Sequence, residues 1–94
     1  MQFHSIYKIP KGKLLKIFLD YNEKTNLINE IRITGDFFAY PEEALEQMEN
    51  NLKNTMLVRE QLLAKIHFLI KKNNIQFIGV DAEGLTEGIL LCKP

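Results

Sequence analysis

An α+β fold, a small antiparallel β-meander of about three strands with two to three helices packed on one face, is predicted by three features of this sequence. Apolar residues alternate over Lys13–Tyr21 and again over Leu27–Thr34, the period of a half-buried strand. The run Asn22-Glu23-Lys24-Thr25-Asn26 between them is turn chemistry at the length of a hairpin loop. Beyond Pro41 the apolar spacing becomes helical. Strands first and helices after is the order of an α+β chain.

Each element has its own signal. Gln2 to Ile9 reads as a short strand with Phe3, Ser5 and Tyr7 on one face, and Pro10-Lys11-Gly12 breaks it. In the next strand Leu15, Ile17, Leu19 and Tyr21 share a face, Lys16 and Asp20 take the other, and Phe18 is the exception. The return strand puts Leu27, Ile31 and Ile33 on one face against Ile28, Glu30, Arg32 and Thr34. A first helix carries Ala44, Leu45, Met48 and Leu52, with Pro41 at its first position and Glu42 and Glu43 complementing the positive end of its dipole. The polar stretch Asn50 to Thr55 ends it. A second helix spans about Val58 to Lys72 with a stripe of Leu62, Leu63, Ile66, Leu69 and Ile70, and Lys71 and Lys72 suit its C-terminus. Asn73-Asn74 stops it. Ile75-Gln76-Phe77-Ile78 is a short strand or an extended linker, and Asp81 is the N-cap of a last helix through Leu85, Ile89 and Leu90.

Ninety-four residues suffice for a single domain, 1–94, and are too few for two. With 46% hydrophobic and 26% charged residues the chain has a globular rather than a disordered composition. Twelve basic residues balance twelve acidic ones, so no global field favours nucleic acid or an anionic membrane, and neither is expected as a partner. The lone Cys92 cannot form an intrachain disulfide or a zinc site by itself and reads as a small apolar residue in a last helical turn. The opening MQFHSIYK lacks the apolar core of a cleavable signal, and no apolar run approaches membrane-spanning length, so cytoplasmic residence is expected.

Few residues are placed for chemistry. His4 and His67 have no second His or Cys at ligand spacing, and Glu42-Glu43 diverge by about 100° on a helix, which suits helix-start charge better than an acid/base pair. No nucleophile elbow, Walker loop or dinucleotide fingerprint is present. No catalytic residue and no metal ligand is therefore assigned. Two segments exceed what local structure needs. Lys8-Ile9-Pro10-Lys11-Gly12-Lys13 is either a solvated hairpin connection or a cationic loop offered to a phosphate or carboxylate of a partner. In Gly35-Asp36-Phe37-Phe38-Ala39-Tyr40-Pro41, one aromatic can staple the helix entry to the core. Three within four residues suit a docking surface.

In this order and at this length, the two segments resemble the small C-terminal domain of lipoate–protein ligases, in the version that forms a separate accessory subunit. "GDFF" followed by Pro41-Glu42-Glu43 is the most specific piece, and Lys8-Ile9-Pro10-Lys11-Gly12-Lys13-Leu14 supports it. The resemblance runs from Lys8 to the closing Gly79-Val80-Asp81…Leu85…Ile89 segment. It implies that a catalytic subunit binds ATP and lipoate, forms lipoyl-AMP with release of pyrophosphate, and passes the lipoyl group to an acceptor lysine. Acceptors are lipoyl domains of 2-oxoacid dehydrogenases and the glycine-cleavage carrier protein. This chain would then be the non-catalytic partner in a heterodimer, binding no cofactor alone. The resemblance also implies kinship with iron–sulfur scaffold folds, whose cluster one cysteine cannot hold. On this view Asp36, Phe37, Phe38 and Tyr40 form the interface segment, the three aromatics dividing their area between core and catalytic chain with at least one meeting it, while Lys11 and Lys13 are candidates for contact with the ATP phosphates or the adenylate. A protein–protein adaptor unconnected with lipoate would use the same aromatic patch.

Overall fold

The alternation over Leu15, Ile17, Leu19 and Tyr21 buries all four side chains on one face of a strand, β2 (Lys13–Asn22), in the computed structural model of the chain. The structure describes residues 2–9 and 13–92, and for 2–5, 7–9 and 13 the backbone path alone. β1 (Gln2–Ile9) and β3 (Leu27–Gly35) flank β2 in an antiparallel sheet of order β1-β2-β3. Ile9 stands opposite Lys13 and Phe3 opposite Leu19 in that register. The side chains of Phe3, Ser5 and Tyr7 and the Pro10-Lys11-Gly12 break lie outside the described residues.

The hairpin between β2 and β3 is closed by asparagines. The Asn22 side-chain oxygen accepts from the amide of Lys24 at 2.8 Å, and Asn26 takes a left-handed φ of 61°. The start of β3 departs from the face assignment that simple alternation predicts. Ile28 is fully buried and Leu27 only half-buried, the reverse of a simple alternation back from Ile31. Asp20 pairs with Glu30 and Tyr21 with Ile28, so Asn29 is an extra residue in a β-bulge. That insertion flips every side chain on its far side, which carries Ile28 to the core opposite Tyr21.

α1 (Glu43–Asn51) packs on β3 and buries Ala44 and Met48, with Leu52 buried at its C-cap. It starts later than the sequence suggests. Glu42 is the N-cap and Pro41 precedes it, so proline is not the first helical residue. The cause is Tyr40, which is still held in a strand described below. After α1, Asn54 takes a φ of 67° and its amide donates to the Ile28 carbonyl at 2.7 Å, while the Ile28 amide donates to the Thr55 carbonyl at 3.0 Å. The returning chain thereby covers the first part of the outer edge of β3.

α2 (Arg59–Lys72) buries Leu62, Ile66 and Leu69, leaves Leu63 and Ile70 half-buried, and stops at Asn73 and Asn74, the latter at a φ of 53°. α3 (Ala82–Leu90) opens on the expected cap, the Asp81 carboxylate accepting from the Gly84 amide at 2.7 Å. α3 packs on β1 and β2 and against α2, which closes the core. Cys92 is buried just beyond the helix, its Sγ 3.8 Å from the carbonyls of Ile17 and Gly88. The α+β architecture read from the sequence is thus the one observed, with a second small sheet added. Among the described residues no helix is long and apolar enough to cross a membrane.

Candidate docking site

Gly35 ends β3 because the chain must turn there against another backbone. Its φ is 153°, and the next amide, of Asp36, donates to the Leu14 carbonyl at 2.9 Å. A Cβ at position 35 would stand 2.3 Å from that same carbonyl oxygen. The bond also joins the two segments singled out in the sequence. Leu14 directly follows the cationic loop, and Asp36 opens the aromatic run.

Past this point the aromatic run is a strand rather than a connection. β4 (Phe38–Tyr40) pairs antiparallel with β5 (Gln76–Ile78), which resolves the Ile75–Ile78 ambiguity in favour of a strand. Alternation now sorts the aromatics. Phe37 turns in, half-buried against the core, with its ring 6.1 Å from that of Phe77 and tilted by 57°. Phe38 and Tyr40 turn out, 66% and 50% exposed. Phe38 stands directly opposite Ile78, itself 49% exposed, so the two form an apolar patch on the outer face of the ribbon, beside Tyr40 and its exposed partner Gln76. Asp36 is exposed at its start. Ile78 had no local signal, because only its pairing with Phe38 gives it a role.

A groove of about 290 Å³ runs beside the ribbon, between the end of β3 and the start of α1, lined among others by Gly35, Phe38, Glu42 and Leu45. It adjoins a larger one of about 520 Å³ along the same edge of β3, lined by Arg32, Glu46, Glu49 and Lys53. There Glu49 accepts the otherwise unpaired Ile33 amide at 2.7 Å. Partial burial raises the Glu49 pKa above its ordinary 4.5, and Glu46 adds to this, while the Ile33 hydrogen bond and Arg32 oppose it. A raised folded-state pKa means that Glu49 contributes most below the unfolded value of 4.5. That contribution is lost as the pH rises through the folded value. Glu49→Gln keeps an acceptor for Ile33 and removes the titration. Its melting temperature should match or exceed that of the unsubstituted chain at neutral pH, and the advantage should vanish on acidification through this window.

Of the other residues considered, Glu42 and Glu43 are exposed at the helix start and His67 is exposed on α2. The side chains of His4, Lys11 and Lys13 lie outside the described residues. Among the described residues no group of three or more His, Cys, Asp or Glu is placed to hold a metal ion.

These features define a class: a small α+β domain with an apolar two-stranded ribbon, entered through a glycine turn and flanked by a groove. Comparison with known proteins narrows it. No protein-family model matches the chain. It is 33% identical over 57 residues to "Lipoate-protein ligase A subunit 2" of Thermoplasma acidophilum, a stretch covering 61% of this chain and 57% of that protein's length. Its fold is similar to that of a chain in the structure of an archaeal lipoylation system from the same organism, a bi-partite lipoate protein ligase and its E2 lipoyl domain. That match has a TM-score of 0.79 at 26% identity and covers 95% of this chain and 94% of the other. The resemblance to a small lipoate–protein ligase subunit read from the sequence is therefore present in sequence and in fold alike.

Proposed function

We propose that this chain is the accessory subunit of a bipartite lipoate–protein ligase. It docks on the catalytic subunit through the outer face of the β4–β5 ribbon and completes the site that activates lipoate. ATP and lipoate are held by the catalytic subunit, which forms lipoyl-AMP, releases pyrophosphate and transfers the lipoyl group to a lysine of an acceptor domain, in the cytoplasm. This chain supplies no nucleophile. The near full-length likeness of fold to a chain of a bi-partite ligase system carries the reading. The exposed Phe38–Ile78 pair supports a protein partner, since paired large apolar side chains left in water mark a surface that is covered in use.

The cationic loop fits the same reading. Leu14, which follows it in the chain, accepts from the amide of Asp36 at the start of the aromatic run. Lys11 and Lys13 are its proposed contacts to the phosphates of ATP or of the nascent adenylate.

The test is pyrophosphate release by the cognate catalytic subunit with ATP and lipoate, with and without this chain. A strong dependence on the chain is expected. A catalytic subunit fully active alone would exclude the reading and leave the ribbon as the surface of a protein–protein adaptor.

A further inference from the structure

α2 carries a second exposed surface, separate in sequence from the ribbon. Phe68 is 54% exposed, and two ammonium groups lie over its ring, Lys65 Nζ at 5.8 Å and Lys72 Nζ at 5.7 Å from the centroid. Positions 65, 68 and 72 fall on one helix face, and Lys71 is exposed next to it. Arg59, the remaining basic residue of the helix, is ion-paired with Glu87 of α3. Among the described residues no carboxylate pairs with Lys65, Lys71 or Lys72. The whole chain is neutral, so this is a local positive field, while α1 carries Glu43, Glu46 and Glu49 and no basic residue.

We propose that the Lys65–Phe68–Lys72 face of α2 docks the acceptor protein, through an acidic patch on the domain that receives the acyl group. The inference rests on the accessory-subunit reading above. Two kinds of surface on one small domain suit two kinds of partner. The ribbon presents apolar side chains with little charge, as a lasting interface requires. The α2 face has one aromatic ring framed by ammoniums, which suits a brief, electrostatically steered encounter that must dissociate after each transfer. An acidic protein surface fits it better than a nucleic acid does. Two ammoniums over a single ring cannot track a phosphate backbone, and among the described residues no second ring pairs with Phe68 to stack a further base.

The experiment uses the reconstituted two-subunit ligase and its cognate lipoyl domain, following pyrophosphate release and lipoyl transfer separately. The double variant K65E/K72E should raise KM for the lipoyl domain about tenfold at low ionic strength and leave pyrophosphate release within about twofold. The unsubstituted ligase should lose this advantage as salt is added. Phe68→Ala should raise KM while keeping the salt dependence. An unchanged KM in K65E/K72E overturns the proposal. So does an equal loss of pyrophosphate release, which would place α2 against the catalytic subunit. Salt-sensitive retention of a single-stranded RNA oligonucleotide, abolished by K65E/K72E with KM unchanged, would overturn it in favour of nucleic acid. If omitting the chain leaves pyrophosphate release unaffected, the accessory-subunit reading itself falls, a result obtained before any variant is compared.

Discussion

Replacing Phe38 by aspartate is expected to weaken docking on the catalytic subunit on the order of a hundredfold, roughly 2–3 kcal/mol, while leaving the fold intact. The two halves of this expectation have different grounds. Phe38 is mostly exposed in the isolated chain, so its loss removes little from the core. On docking, burying a phenylalanine is worth about 1.5–3 kcal/mol by area, and an aspartate in the same place would add the cost of a desolvated charge. Ile78→Asp should behave in the same way, because the two residues face each other across the ribbon. Phe37→Asp should not. Phe37 packs on the core and on Phe77, so that variant should lose stability before it loses binding. Titration calorimetry of each variant against the catalytic subunit, with thermal melts of the chain alone, separates these outcomes. Equal affinity for Phe38→Asp and the unsubstituted chain would remove the ribbon from the interface.

Gly35→Ala is expected to have the largest effect on stability, about 2–4 kcal/mol, enough to lower the melting temperature of a domain this size by roughly 10–30 °C. The added Cβ would meet the Leu14 carbonyl oxygen at 2.3 Å, and the atom it meets is backbone, which cannot swing aside. Relief would require breaking the Asp36 to Leu14 hydrogen bond and reopening the end of the sheet. The φ of 153° adds a strain that alanine does not easily accept. A melting temperature within a few degrees of the unsubstituted chain would mean that the turn is free to move.

The comparison of sequence with structure shows where local pattern is enough. Strict alternation found β2 and all four of its buried residues because one face of that strand is covered and the other is not. The Asp81 cap and the Asn73-Asn74 stop were equally legible, since each acts within a few residues of itself. The Ile28 error came from a one-residue bulge, which leaves no mark in composition and reverses the faces of everything beyond it. The largest omission was β4. Phe38-Ala39-Tyr40 is too short to show a period, and its partner Gln76–Ile78 lies on the far side of two helices. The surplus of aromatics there was visible, and so was the expectation that they divide between core and surface. Ile78 was not visible, because a residue's place in a patch depends on what stands across from it. The lysine loop was singled out from its composition, and its backbone connection to the aromatic run through Leu14 became apparent only in three dimensions.

The pairing of Phe38 with Ile78 has a consequence for how the chain matures. One half of the apolar patch comes from the segment before α1 and the other from the segment after α2. A growing or truncated chain that ends before residue 76 presents Phe38 without its neighbour, on a strand that lacks its pairing partner. Such a fragment would offer half of the proposed docking surface. If the catalytic subunit is recognised through this ribbon, as proposed, recognition doubles as an inspection of completeness, since only a molecule synthesised past β5 and correctly closed carries the whole patch.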